Sequence, residues 1–144
     1  MPHPFPHNYG VRLAWKGGEN CEILSAERPV LQGGPPAQFD GTEERWSPEH
    51  LVLAALSQCF MLTWIALNKR SQIPLKGWES TGESVLDKTK EGLVFTSFKI
   101  SVTLKTDAGR VDEAKKLLEL AKKHCIIANA LKTPATLDAA VEAA

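Results

Sequence analysis

Two of the three cysteines in this chain sit in helical settings that suit redox chemistry. Cys59 lies in the apolar run Ser47-Pro-Glu-His-Leu-Val-Leu-Ala-Ala-Leu-Ser-Gln-Cys-Phe60, and Cys125 ends the amphipathic stretch that starts at Val111. A thiol inside a buried helix is ordinarily a small hydrophobe. Two thiols on the main packing elements, each near charged residues, also fit a peroxide-reducing pair. Such a pair needs a thiolate that reaches a peroxide oxygen and a second thiol that traps the sulfenic acid before it over-oxidises. Both readings stand for Cys59 and Cys125. The neighbouring His124 and Lys123 would lower the Cys125 pKa, with His124 read as a helix C-terminal cation rather than a base.

Glu49 follows Ser47-Pro48 at the start of the same apolar run, where a carboxylate is favoured by the helix dipole. Its ten-residue separation from Cys59 corresponds to about 15 Å of helical rise and roughly 80° of rotation, so the two side chains cannot meet along one helix. They can meet across a two-fold axis, if two copies of the helix cross antiparallel near the small Ala54 and Ala55. His3 and His7 lack a convergent third ligand, so no metal and no cofactor is expected.

The elements that must position these residues fit one domain spanning residues 1–144, with residues 1–8 a flexible, proline-stiffened arm. Seventeen basic and seventeen acidic side chains cancel, which removes the usual electrostatic argument for nucleic acid or an anionic membrane surface. An odd, sparse set of cysteines and the absence of a signal-peptide pattern point to the reducing cytoplasm. Leu51 to Leu67 is interrupted by Ser57, Gln58 and Thr63 and falls short of the ~20 apolar residues of a spanning helix. It is therefore read as a fully buried helix, not a membrane segment.

Val11, Leu13 and Trp15 alternate as in a half-buried strand. Gly17-Gly18-Glu19-Asn20 supplies a turn, and Cys21–Ala26 and Pro29–Gln32 continue an antiparallel meander. The Gly/Pro-rich segment from Gly33 to Gly41 reads as a loop. Ser47 as N-cap and Pro48 at the first helical position fix a helix start, and Arg70 to Pro74 ends that helix. Leu75–Asp87 and Leu93–Lys105 form a second hairpin, with Phe98, Ile100, Val102 and Leu104 on one face. Val111, Ala114, Leu117, Leu118 and Ala121 then mark one face of a helix, and the segment from Thr136 closes the chain as a strand.

The run Trp46-Ser-Pro-Glu through Cys59-Phe60, with His124-Cys125-Ile-Ile-Ala-Asn-Ala-Leu-Lys132 much later, resembles the signature of the OsmC/Ohr family of osmotically induced and organic hydroperoxide resistance proteins. The resemblance covers the chain in element order. It implies an α+β, OsmC-like fold with antiparallel sheets wrapped around a long central buried helix, in an intertwined homodimer with active sites at the interface. It further implies a thiol peroxidase acting on organic hydroperoxides, with Cys59 peroxidatic, Cys125 resolving and Glu49 orienting a catalytic arginine. A lipoyl-type or other external dithiol would be the reductant. The family's arginine position in the loop corresponds here to Phe39, leaving Arg12, Arg28 and Arg45 as the nearby cations. Cys21 matches no family motif. Phe60, Met61 and Trp64 would favour organic over hydrogen peroxide. Two rival readings remain: a non-catalytic dimer that binds an apolar ligand or senses redox state, and a Cys59 hydrolase lacking a matched histidine base.

Overall fold

The computed structural model describes residues 3–144. Its contacts group into two compact units, the first ending at Leu51 and the second comprising Val52–Ala144.

The first unit is built on the meander. Strands β1 (Arg12–Trp15), β2 (Cys21–Leu24) and β3 (Leu31–Gly33) pair antiparallel in sequence order. Gly17 and Gly18 both take positive φ in the β1–β2 turn, a conformation that costs glycine little. The strands are shorter than the alternating pattern suggests, because Val11 and residues before it make no ladder bonds. The Gly33–Gly41 loop carries a short 3-10 turn, Ala37–Phe39. It folds so tightly that a Cβ on Gly41 would lie 1.8 Å from the Pro35 carbonyl oxygen.

Helix α1 (Pro48–Ser71) starts where the Ser-Pro signal places it. The buried Ser47 hydroxyl accepts the His50 backbone N–H at 3.1 Å, an N-cap bond. Asn68 ends the helix by clamping Ile73 through both its N–H and its carbonyl, at 2.8 Å each. Leu56, Phe60 and Trp64, spaced four apart, are fully buried, whereas Leu62 on the other side is 50% exposed. A single chain thus covers one face of α1, not the whole circumference expected from its composition. At 24 residues the helix is also long and apolar enough to cross a membrane by length and composition alone, correcting the expectation that it falls short.

In the second unit, β4 (Gly77–Thr89) and β5 (Gly92–Thr106) form a long hairpin closed by Lys90-Glu91. A bulge lies where Val85 pairs with Ser97 and Leu86 with Phe95, leaving Thr96 unpaired. Beyond it Phe98, Ile100, Val102 and Leu104 all face the core. A chain leaving β5 must cross over to add a parallel strand. Here α2 (Val111–His124) and the short α3 (Ile126–Ala130) make that crossing, and β6 (Ala135–Ala143) pairs parallel with β5. This sheet is therefore mixed rather than purely antiparallel. Ala114, Leu117, Leu118 and Ala121 pack α2 into the core, and the Trp64 indole N–H donates to the Ala114 carbonyl at 3.5 Å.

Two substitutions test this packing by denaturant unfolding. Trp64→Ala should cost about 3–5 kcal/mol, the range for a large buried aromatic. Gly41→Ala, which forces a backbone shift, should cost about 1–3 kcal/mol.

Candidate functional site

Cys59 is half-buried on α1, one position from the inward-facing Phe60. Cys125 is fully buried at the single extended residue (ψ 114°) between α2 and α3. Both thiols are free, and each bears on the ionisation of the other. The break at Cys125 matters for the sulfurs. The first N–H groups of any helix lack partners within it, and the Ile126 and Ile127 N–H groups favour the Cys59 thiolate. The Thr63 hydroxyl lies 3.9 Å from the same sulfur and 2.7 Å from the Cys59 carbonyl oxygen.

Burial opposes ionisation at both sites and is the largest influence on each. At Cys59 it is outweighed by donors: the Ile127 N–H, the Cys125 thiol, the Thr63 hydroxyl and the Ile126 N–H. The Cys59 pKa is lowered. At Cys125 the Ala128 and Ile127 N–H groups help less, burial dominates and the adjacent Cys59 adds to it, so the pKa is raised. The first proton to leave the pair belongs to Cys59, while Cys125 stays protonated and donates. This overturns the expectation that Lys123 and His124 depress the Cys125 pKa; His124 ends α2 exposed to solvent.

Glu49 occupies the first turn of α1, half-buried, with Oε1 enclosed and without a hydrogen-bond partner. Arg12 lies exposed on β1 opposite Leu24, and Arg28 in the β2–β3 turn. Arg45 donates to the Gln32 side chain at 3.3 Å and, with Trp46 and His50, lines a cavity of about 460 Å³ in the first unit. Cys21 lies opposite Gly33, where a Cβ would come within 2.8 Å of its sulfur, so this thiol fills the space the glycine leaves. Phe60 and Trp64 each pack at a tilt against Trp78, with ring centroids 5.9 Å apart, and serve packing. Among the described residues no three His, Cys, Asp or Glu side chains converge as a metal site.

The structure thus brings two of the three anticipated residues together, Cys59 and Cys125. Three contributors went unnoticed in the sequence. Thr63 was detectable as a hydroxyl one helical turn beyond Cys59; the Ile126 and Ile127 amides were not, since any residue carries them.

The model of the family described as OsmC-like protein matches residues 41–140. Uncharacterized protein YmaD of Bacillus subtilis is 29% identical over 133 residues, covering 88% of this chain and 87% of that protein. Among solved structures, the OsmC-like protein of unknown function VCA0330 from Vibrio cholerae superposes with a TM-score of 0.85 at 16% identity, covering 94% of this chain and all of that one. An organic hydroperoxide resistance protein from Elizabethkingia anophelis superposes with a TM-score of 0.74 at 19% identity, covering 97% of this chain and 100% of that chain. These likenesses fix the α+β fold.

The proton asymmetry predicts the order of alkylation. Thiolate is the reactive form, and a lowered pKa means that it appears earlier as pH rises. Iodoacetamide should therefore modify Cys59 ahead of Cys125, with a midpoint below the ordinary thiol range for Cys59 and above it for Cys125, read by peptide mass mapping. Equal rates would show the asymmetry to be absent.

Proposed function

Because the chain belongs to the OsmC-like protein family, we propose that it is a cysteine-based peroxidase that reduces organic hydroperoxides to alcohols. The observation that carries this reading is the pairing of Cys59, lowered in pKa, with a protonated and hydrogen-bonded Cys125. Cys59 thiolate attacks the distal oxygen of the hydroperoxide and the O–O bond breaks. The alkoxide takes up a proton and leaves as the alcohol, and Cys59 becomes a sulfenic acid. The Cys125 sulfur then displaces hydroxide from it, losing its own proton, so that water leaves and a Cys59–Cys125 disulfide remains. An external dithiol, of lipoyl or similar type, reduces this bond by two exchanges and departs as its own disulfide. Three reduced cysteines suit a cytoplasmic setting.

The proposed working unit is a homodimer. The exposed side of α1, with Leu62 at its middle, and the exposed Val11, Leu13 and Trp15 of the meander leave apolar surface for a second copy. An enclosed carboxylate oxygen without a partner is costly, and in the dimer Glu49 of one copy would serve the Cys59 site of the other, orienting Arg12, Arg28 or Arg45 there.

Mass spectrometry without reductant, after one equivalent of cumene hydroperoxide, should find a Cys59–Cys125 disulfide and one equivalent of alcohol. Cys59→Ser should abolish turnover. Cys125→Ser should stop at the Cys59 sulfenic acid after one equivalent and, with excess hydroperoxide, accumulate sulfinic acid there; sustained turnover by Cys59→Ser would sink the mechanism. The shared site has its own test. Inactive Glu49→Gln and inactive Cys59→Ser chains, mixed and allowed to exchange, should regain about a quarter of wild-type activity if the site is built across the two-fold axis, and none if it lies within one chain.

A further inference from the structure

Thr63 lies one turn beyond Cys59 on α1, on the same helix face. Its Oγ1 is 2.7 Å from the Cys59 carbonyl oxygen, to which it donates, and 3.9 Å from the Cys59 sulfur. A hydroxyl has one hydrogen and two lone pairs. With the hydroxyl hydrogen on the carbonyl, the Thr63 oxygen is free to accept from the Cys59 S–H while Cys59 is a thiol. When the sulfur ionises that S–H donor is gone, and rotation about Cβ–Oγ1 carries the hydroxyl hydrogen from the carbonyl to the sulfur. The carbonyl keeps its regular helical partner, the Thr63 backbone N–H, so the rotation leaves no buried acceptor empty.

Resting on the peroxidase reading above, we propose that Thr63 is a positioning residue for Cys59, a two-way hydroxyl that accepts from the thiol at rest and donates to the thiolate during attack. The other groups on the sulfur come from the α2–α3 link: the Cys125 thiol, which is the titratable group facing Cys59, and the uncharged Ile126 and Ile127 amides. Thr63 is the donor that α1 itself supplies, and it can be altered without disturbing α3.

The test compares Thr63→Val, which keeps the branched shape and removes the hydroxyl, with Thr63→Ser, which keeps the hydroxyl. Iodoacetamide alkylation of Cys59 is followed against pH alongside the rate of oxidation by cumene hydroperoxide. Thr63→Val should move the Cys59 midpoint upward and slow oxidation several-fold below it, with the rates converging at high pH; Thr63→Ser should restore both. An unmoved midpoint in Thr63→Val, equal shifts in the two variants, or a slowing that is the same at every pH would overturn the assignment. If Thr63→Val does not fold by circular dichroism, Thr63→Ala against Thr63→Ser decides by the same readouts. A wild-type protein inert to cumene hydroperoxide would defeat the peroxidase reading, while the alkylation midpoints would still decide the role of Thr63.

Discussion

The unequal division of one proton between Cys59 and Cys125 depends on where the chain stops being helical. Had α2 run on through Ile126, the amides of Ile126 and Ile127 would be consumed by carbonyls one turn back, and Cys59 would face burial with fewer donors. The single extended residue at Cys125 frees them. That break is held in place from both sides. Leu117, Leu118 and Ala121 lock the end of α2 into the core, and β6 must begin at Ala135 to pair with Phe98. The parallel crossover thus sets the length of chain available, and the turn at Cys125 is where that chain changes direction.

Helix α1 raises the opposite problem, since it is apolar on more sides than its own chain covers. Leu56, Phe60 and Trp64 are satisfied by the β5 face, Trp78 and α2. Leu62 and the small Ala54 point away. A lone helix of this composition would suit a lipid environment by length, yet the enclosed Glu49 Oε1 at its start, without a hydrogen-bond partner, is a polar atom that lipid would leave unsatisfied. A protein surface can meet both needs at once, giving packing to Leu62 and a hydrogen-bond donor to Glu49. The second copy proposed above would bring the same helix and the same arginines.

Where the sequence was legible, one physical rule dominated. Ser47-Pro48 marked the start of α1 because capping is local chemistry, and the Val111–Ala121 spacing marked α2 because one face of it is buried. Phe98 to Leu104 was readable for the same reason. The bulge at Thr96 was not, because a one-residue slip leaves no mark in composition and only shifts Phe95 relative to Phe98. Nor was the parallel direction of β6, whose small Ala-rich face would suit either orientation. At the site, residue type revealed Cys59 and Cys125 as chemistry. Their ranking came from main-chain amides that carry no sequence signal, and the charged neighbours Lys123 and His124, which do carry one, had no part in it.

The same asymmetry bears on how the pair could be restored after oxidation. In thiol–disulfide exchange the attacked sulfur must be reachable and the displaced one must leave as a thiolate, which is easier for the thiol of lower pKa. Cys59 is the reachable sulfur, but attack there displaces Cys125, whose pKa is raised by burial. Attack at Cys125 would displace the better leaving group, yet that sulfur is closed to solvent. Oxidation meets no such conflict, because the reachable thiol is also the acidic one. On the peroxidase reading proposed above, an arrangement that makes sulfenic acid readily would therefore make its disulfide resistant to casual thiols. Efficient reduction would then call for the proposed dithiol, whose second sulfur completes the exchange before the mixed disulfide reverses.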